Sequence, residues 1–284
     1  RSGTTWSQQA YIKASNAEGG DIFGESIDLS DDGNTMVVGA PGEDSNATGI
    51  NGDQTDNSAV TSGAAYVFTR SGTTWSQQAY IKASNAEGGD IFGESIDLSD
   101  DGNTMVVGAP GEDSNATGIN GDQTDNSAVT SGAAYVFTRS GTTWSQQAYI
   151  KANLTGDNLD YFGESVQLSG DGNTLAVGTQ QEDSNATGIN GDQTNNSKET
   201  SGAAYVFTRS GTTWSQQAYI KASNADGADR FGGTYDPGRD SPISMSNNGD
   251  ILVIGAYQEE SNATGVGGDQ TNNTGNYSGA VYIY

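Results

Sequence analysis

The sequence is a tandem repeat, and this feature leaves the chain few folds. The segment RSGTTWSQQAYIKA begins at Arg1, Arg70, Arg139 and Arg209, with spacings of 69, 69 and 70 residues. The first two units are identical. Repeats of this length are typical of solenoids, propellers and arrays, in which neighbouring units share one core. We therefore predict one domain, residues 1–284, built from units 1–69, 70–138, 139–208 and 209–284.

The apolar residues of each unit fall into short segments of the kind that form β-strands. In the second unit, Phe92, Ile96 and Leu98 alternate with polar residues, which indicates a strand with one buried face. A glycine in the DDGN segment at 100–103 allows positive φ and predicts a tight turn. Read forward from the middle of the second unit, the predicted strands are Asp90–Ser99, Thr104–Ala109, Gly132–Thr138 and, across the start of the third unit, Thr143–Lys151.

Four antiparallel strands in each unit, with the fourth more polar than the others, are typical of a propeller blade. We therefore predict an all-β fold: a β-propeller of four repeats, each a four-stranded antiparallel blade. The chain begins with a fourth-strand segment, Thr4–Lys13, and ends with a third-strand segment, Gly279–Tyr284. We expect the N-terminal strand to pair with the last blade and close the ring, because an unpaired strand edge invites aggregation.

One tryptophan occupies the same place in the fourth strand of every unit, at Trp6, Trp75, Trp144 and Trp214. A large indole at this place is suited to filling the gap between adjacent blades at the rim. An exposed indole would instead offer a platform on which a sugar ring stacks. The sequence leaves both interpretations open.

The charge of the chain excludes some partners. With 36 acidic and 11 basic residues, the net charge is −25. Such a surface repels phosphate groups, so we expect neither nucleic acid nor an anionic membrane as a partner. No run of about eighteen apolar residues is present, so we expect no membrane insertion.

The residue types also argue against catalysis. The chain contains no His and no Cys, so it can form neither a Ser-His-Asp triad nor a thiolate nucleophile. Carboxylate pairs can hydrolyse glycosides, but the acidic groups recur fourfold, whereas catalysis needs one asymmetric constellation. Only the fourth unit carries an insertion of its own, which is either a spacer for ring closure or a singular site. Its distinctive residues are Arg230, Tyr235, Asp236, Arg239 and Asp240.

A long polar loop between the second and third strands has the same length in all four units. Its Asn, Asp, Ser and Thr side chains could satisfy the backbone of the loop through short-range turns. Alternatively, its oxygen atoms could bind Ca²⁺, which takes six to eight oxygen ligands. The candidate ligands are Asp44, Asn46, Asp53 and Asp56 in the first unit, Asp113, Asn115, Asp122 and Asp125 in the second, Asp183, Asn185 and Asp192 in the third, and Glu260, Asn262 and Asp269 in the fourth.

Three linked motifs resemble the FG-GAP repeat, the blade of the integrin α-subunit propeller and of bacterial surface proteins. In the first unit they are Phe23–Ile27, Val37–Pro41 and Gly63–Phe68. The third unit keeps Phe162-Gly163 and the fourth keeps Phe231-Gly232. The resemblance implies a β-propeller. Two features depart from the family pattern: the chain has four units where seven blades are usual, and the connection after Asp28 is shorter than the calcium loop of integrin blades.

These features lead to an expectation about function. We expect a non-catalytic, extracellular or cell-surface adhesion module that binds a protein or glycan ligand on one face of the propeller, with calcium as a stabilising ion if the acidic loops bind it. The alternative is a structural role, as a self-assembling repeat subunit of a surface layer or extracellular filament.

Overall fold

The structure, a computed structural model, describes residues 3–153, 159–233 and 241–284. Within these residues the chain is all-β, with fifteen strands in four antiparallel sheets. No helix in the described part of the chain is long and apolar enough to cross a membrane. The fold therefore confirms the predicted all-β class with antiparallel sheets, and each of the first three sheets takes its fourth strand from the following unit.

The strands follow one another within each sheet in chain order. The first sheet contains β1 (Ile27–Leu29), β2 (Thr35–Ala40), β3 (Ala64–Ser71) and β4 (Thr74–Ile81). The second contains β5 (Ile96–Leu98), β6 (Thr104–Ala109), β7 (Ala133–Ser140) and β8 (Thr143–Ile150). The third contains β9 (Ser165–Leu168), β10 (Thr174–Thr179), β11 (Ala203–Ser210) and β12 (Thr213–Ile220). The fourth contains β13 (Ile243–Met245), β14 (Leu252–Ala256) and β15 (Ala280–Ile283).

The first strand of each unit is shorter than predicted. In the second unit only Ile96–Leu98 is a strand, whereas the sequence predicted Asp90–Ser99. The preceding residues form a turn, in which Ile91 has a φ of +59° and the Glu94 amide donates to the Ile91 carbonyl. Phe92 leaves the strand because its amide donates to Ser62 of the preceding unit. Residues that alternation alone assigned to a strand therefore form a turn that contacts the preceding unit.

The predicted turn between the first two strands is confirmed. The Gly102 amide donates to the Ser99 carbonyl at 2.8 Å. Asp101 Oδ1 accepts hydrogen bonds from Ser99 Oγ and the Asn103 amide. Partial burial raises the pKa of Asp101, but the hydrogen bonds from Ser99 and Asn103 together outweigh burial and lower the pKa below its ordinary value. The carboxylate therefore caps the hairpin, as in a plain Asx-type turn.

The Phe-Gly and Gly-Ala motifs join neighbouring sheets. Phe92 is fully buried and packs edge-on against Tyr135 at 5.4 Å. The backbone of Gly108 lies so close to the next unit that a Cβ atom would stand 1.9 Å from the Gly163 carbonyl oxygen. Ser95 Oγ donates to the same carbonyl at 2.7 Å. Glycine is required here because the sheets approach at backbone distance.

The tryptophans separate into buried and exposed members. Trp144 is 3% exposed and donates through Nε1 to Gln78 of the preceding sheet at 3.0 Å. The Arg139 guanidinium lies over its ring at 5.4 Å. Trp214 makes the equivalent contacts, Trp75 is partly buried, and Trp6 is 77% exposed. Trp144 and Trp214 therefore fill the gap between sheets, as the rim interpretation predicted.

The two ends of the array differ from its middle. Ile27 and Leu29 of β1 are exposed, whereas their counterparts Ile96 and Leu98 of β5 are buried. In the fourth sheet, no strand of the described residues pairs with the outer edge of β15. The N-terminal segment, where a strand was predicted at Thr4–Lys13, forms no strand. Ring closure therefore stays a prediction.

Candidate functional site

The acidic loop of the first unit is held by its own side chains. Asp44 Oδ1 accepts a hydrogen bond from the Thr61 amide at 2.8 Å. Asp53 Oδ1 accepts two hydrogen bonds from Thr55, one from its amide and one from its hydroxyl. These bonds lower the pKa of the exposed Asp53 carboxyl. Asp56 Oδ1 accepts a bond from the Ser58 amide. Each carboxylate therefore replaces a backbone acceptor for a nearby amide.

The other units repeat this geometry at the predicted candidate ligands. Asp113 and Asp183 cap the amides of Thr130 and Thr200. The recurring Asp-x-Thr contacts are Asp122 with Thr124, Asp192 with Thr194 and Asp269 with Thr271. Asp125 accepts from the Ser127 amide. The amides of Asn46, Asn115, Asn185 and Asn262 each donate to a backbone carbonyl across the loop, and the Glu260 carbonyl accepts from Gly275.

These contacts bear on the two interpretations of the loop. The hydrogen bonds within the loop are those that the side-chain capping interpretation predicted. Within the described parts of the chain, no three acidic side chains converge as a group that could hold a metal ion. The calcium interpretation therefore stays a prediction.

A buried ionic network lies beneath each of the first three loops, and sequence reasoning missed it. Lys82 Nζ lies 2.8 Å from Glu43 Oε2 and also donates to Ser62 Oγ. Tyr80 donates its hydroxyl proton to Glu43 Oε1 at 2.8 Å. The Tyr80 hydroxyl also contacts Ser45 Oγ. The Glu112–Lys151–Tyr149 and Glu182–Lys221–Tyr219 groups repeat these contacts.

The network is fully enclosed. Glu43 and Lys82 are buried, and burial lowers the pKa of Lys82 while the Glu43 charge partly restores it. Burial also raises the pKa of Tyr80, so the phenol stays protonated and donates. Because every charged atom has a partner, the network holds the long loop against the fourth strand of its sheet. This arrangement is structural and offers no open position to a ligand.

A cleft of about 320 Å³ opens where the second, third and fourth units meet. Its lining residues are Ile91, Glu94, Pro110, Tyr161, Glu164, Gln180, Gln181 and Arg230. Ile91, Tyr161 and Arg230 occupy the same place in their repeats, directly before Phe-Gly. All three have positive φ, between +56° and +59°. Non-glycine residues rarely adopt this conformation, and it concentrates at functional sites.

Side chains within the cleft fix one another. Arg230 Nη1 donates to Gln180 Oε1 at 2.8 Å, and its Nε donates to Gln258 Oε1. Gly233 stands where the other units have glutamate, and a Cβ there would lie 2.2 Å from the Gln180 Cβ. The fourth unit therefore makes room for the glutamine of the third. The lining of the cleft combines the apolar residues Ile91 and Pro110 with amide and charged side chains.

The singular residues predicted for the fourth unit are only partly placed. Arg230 lines the cleft, so the fourth unit contributes one of its distinctive residues to this site. Tyr235, Asp236, Arg239 and Asp240 lie outside the described residues. The sequence contains a signal that could have identified this cleft. The position directly before Phe-Gly is Ile22 and Ile91 in the first two units but Tyr161 in the third and Arg230 in the fourth.

Comparison with protein families identifies the repeat. The model of the FG-GAP repeat matches residues 6–68, 75–137 and 144–207. These matches cover more than half of the chain, which therefore belongs to the FG-GAP repeat family. The predicted resemblance is confirmed. No curated protein matches the chain.

Comparison with solved structures gives distant likenesses. A putative 6-phosphogluconolactonase from Bacteroides uniformis is 11% identical, with a TM-score of 0.45, and the match covers 92% of this chain and 57% of that one. The tricorn protease is 11% identical, with a TM-score of 0.37 over 82% of this chain and 19% of that one. A hypothetical selenium-binding protein from Sulfolobus tokodaii is 8% identical, with a TM-score of 0.32 over 65% and 37%. Likenesses at these scores support no functional assignment.

Proposed function

We propose that the protein is a non-catalytic, extracellular ligand-binding module and that the cleft between its second, third and fourth units binds a glycan. The observation that carries the proposal is the composition of the cleft, where Tyr161, Gln181 and Arg230 break the repeat symmetry. A single asymmetric site suits one ligand. The acidic loops and the buried ionic networks, in contrast, recur with the same contacts in the first three units.

The lining has the chemistry that a sugar requires. Glycan hydroxyls both donate and accept hydrogen bonds, and the side chains of Glu94, Gln181 and Arg230 supply acceptors and donors. The Tyr161 ring offers an apolar face for a sugar ring, with the phenol as a polar end. Binding sites of this size combine apolar walls with a few fixed polar groups.

The residue types support the non-catalytic part of the proposal. The chain has no His or Cys to act as base or nucleophile. Glu94 and Glu164 both line the cleft, and carboxylate pairs can hydrolyse glycosides. We expect neither to hydrolyse a bound glycan, and a reducing-sugar assay on the bound glycan tests this.

An extracellular location is supported by family and charge. FG-GAP repeats are typical of extracellular domains. A net charge of −25 keeps such a surface soluble and suits a medium rich in cations. Fractionation of the source cells, with antibody detection in medium, surface and cytoplasm, tests the location.

A glycan array tests the binding proposal. We expect the wild-type protein to select a small group of glycans and Tyr161→Ala to lose them. Tyr277→Ala is the matched control, because Tyr277 is also a non-glycine residue at positive φ but is exposed and does not line the cleft. An empty array would contradict the glycan proposal, and binding retained by Tyr161→Ala would remove the cleft as the site.

Ring closure is a further part of the proposal. A shallow cleft beside Gly255, Tyr257 and Gly279 lies where the Phe-Gly turn of a following unit packs in the other sheets. The turn of the first unit, with Ile22 exposed, has the matching sequence. We expect the Val281 and Ile283 amides to exchange hydrogen as slowly as the Val67 amide, since closure would bond them. Fast exchange at both would contradict closure.

A second candidate function rests on the same ends of the array. The apolar side chains of Ile27, Leu29, Val281 and Ile283 are exposed at opposite ends. If separate copies join through these ends, the protein becomes a repeating subunit of a filament or surface layer. Light scattering across a concentration series distinguishes the two cases: a constant monomer mass supports the closed module, and growing mass supports assembly.

A further inference from the structure

The buried ionic network is present three times among the described residues and incomplete a fourth time. Glu259 corresponds to Glu43, is 2% exposed, and follows β14 as Glu43 follows β2. Its carboxylate accepts hydrogen bonds from Asn224 and Ser261. In the described residues no lysine pairs with Glu259, whereas Glu43, Glu112 and Glu182 each have one. A buried carboxylate without a cation is costly.

The other half of the network stands exposed at the N-terminal end. Lys13 and Tyr11 occupy the repeat positions of Lys82 and Tyr80. Tyr11 is 82% exposed and Lys13 is also exposed, although their counterparts are buried. The missing cation and phenol of the fourth network therefore exist in the chain.

The N-terminal segment already makes one set of the contacts of an outer strand. Gln9 accepts hydrogen bonds from Trp75 and Arg70, as Gln78 does from Trp144 and Arg139. The segment therefore lies against the first sheet as β4 lies against the second.

The next residues continue the equivalence. Asn16 bonds Glu43 and Tyr66, as Asn85 bonds Glu112 and Tyr135. β4 also pairs with β3 of its own sheet, and among the described residues the N-terminal segment has no such strand partner. The outer edge of β15 is unpaired there and could supply that partner.

We infer that the N-terminal segment of the same chain occupies the edge of β15 and that Lys13 and Tyr11 bind Glu259, completing a fourth copy of the buried network. The inference rests on the proposed ring closure and adds its partners and register. The N-terminal segment has the sequence for this edge, because it repeats the β4 sequence letter for letter.

The register follows from the first sheet. Tyr66 pairs with Tyr80, and Val67 pairs with Ala79. Tyr282 corresponds to Tyr66, since its hydroxyl donates to Asn224 as that of Tyr66 donates to Asn16. The equivalence therefore places Tyr11 opposite Tyr282, and Ala10 opposite Ile283.

Cross-linking tests the register. The chain has no cysteine, so Ala10→Cys with Ile283→Cys leaves one candidate disulfide. Directly opposed residues on paired strands lie about 5 Å apart between Cα atoms, which a disulfide spans. We expect an intramolecular disulfide under mild oxidation, seen by mass spectrometry, and little from Gln8→Cys with Ile283→Cys. A disulfide-linked dimer, or no disulfide, would overturn the inference together with closure within one chain.

A double-mutant cycle tests the network separately. Lys13→Met should lower the melting temperature by roughly 10 °C, because it leaves Glu259 buried without a cation. Glu259→Gln should reduce the effect of Lys13→Met, and Lys82→Met with Glu43→Gln is the matched positive control. An unchanged melting temperature for Lys13→Met, with the cross-link present, would overturn the network and leave ring closure standing.

Discussion

Lys82 Nζ lies 2.8 Å from Glu43 Oε2, and both side chains are buried. The two residues are 39 positions apart, and the same separation joins Lys151 to Glu112 and Lys221 to Glu182. A charge pair of this kind contributes little net stability compared with an apolar pair, but breaking it leaves a charge without a partner. The pair therefore fixes the long loop in one position relative to the fourth strand.

Removal of one partner should be costly. We predict that Lys82→Met destabilises the protein by about 3–5 kcal/mol, because Glu43 is then buried without a cation. Chemical denaturation measures the change. Lys198→Met is the matched control, since Lys198 and Asp226 form a pair that is more than one-third exposed and worth about 1 kcal/mol or less. Equal effects at Lys82 and Lys198 would contradict the structural role of the network.

Stability should depend on pH through a buried carboxyl. Burial raises the pKa of Asp90 to about 7 from its ordinary value of 3.8. The folded state therefore holds a proton that the unfolded state releases, and the contribution of Asp90 to stability falls as pH rises from about 4 to 7. The free energy of unfolding of Asp90→Asn, relative to that of the wild type, should therefore rise by up to about 4 kcal/mol between pH 4 and pH 8. Denaturation across this range measures the gain, and parallel curves would contradict it.

A second buried carboxyl provides an internal check on this pH dependence. Burial raises the pKa of Asp229 to about 6. The sign is the same as for Asp90, but the change should be complete at lower pH. The stability of Asp229→Asn relative to the wild type should therefore rise by less, and it should stop rising near pH 7. A larger gain than that of Asp90→Asn would contradict the order of the two pKa values.

The sequence predicted the sheets better than the contacts between them. A nearly continuous apolar run after a turn placed β6 at its observed bounds, Thr104–Ala109. Alternation predicted too long a β5, because it cannot show that the Phe92 amide donates to the Ser62 carbonyl of the preceding unit. The Glu43–Lys82 pair was missed because the repeat units are nearly identical, so a comparison of the units does not distinguish residues that are structurally required from the others. The cleft had a visible signal, since Tyr161 and Arg230 stand where the first two units have isoleucine.

The rim tryptophans should contribute strongly to stability. Trp144→Ala removes a buried indole, its hydrogen bond to Gln78 and its contact with Arg139. We predict a loss of about 3–5 kcal/mol, measured by chemical denaturation. Tyr277→Ala, at an exposed aromatic residue, should change stability by less than about 0.5 kcal/mol. A small loss for Trp144→Ala accompanied by lost sugar binding would favour the stacking platform instead.

Calcium binding can be separated from ionic screening. If the acidic loops bind Ca²⁺, the melting temperature should be clearly higher in millimolar CaCl₂ than in NaCl of matched ionic strength, because the ion binds the folded state. Equal melting curves would leave side-chain capping, such as the two hydrogen bonds that Asp53 Oδ1 accepts from Thr55, as the explanation. A higher melting temperature in CaCl₂, abolished by Asp44→Asn with Asp53→Asn and the equivalent changes in each unit, would contradict capping alone. It would show an ion bound to the folded state.

The central claim is that the cleft around Tyr161 binds a glycan without converting it, and the most direct measurement is calorimetric titration of the strongest glycan from the array. We predict that Tyr161→Ala and Gln181→Ala each weaken binding at least about tenfold, which corresponds to about 1.4 kcal/mol, while the melting temperature is unchanged. Tyr277→Ala should bind as wild type, and the recovered glycan should be intact. Unchanged affinity in both cleft variants, or a cleaved glycan, would contradict the account.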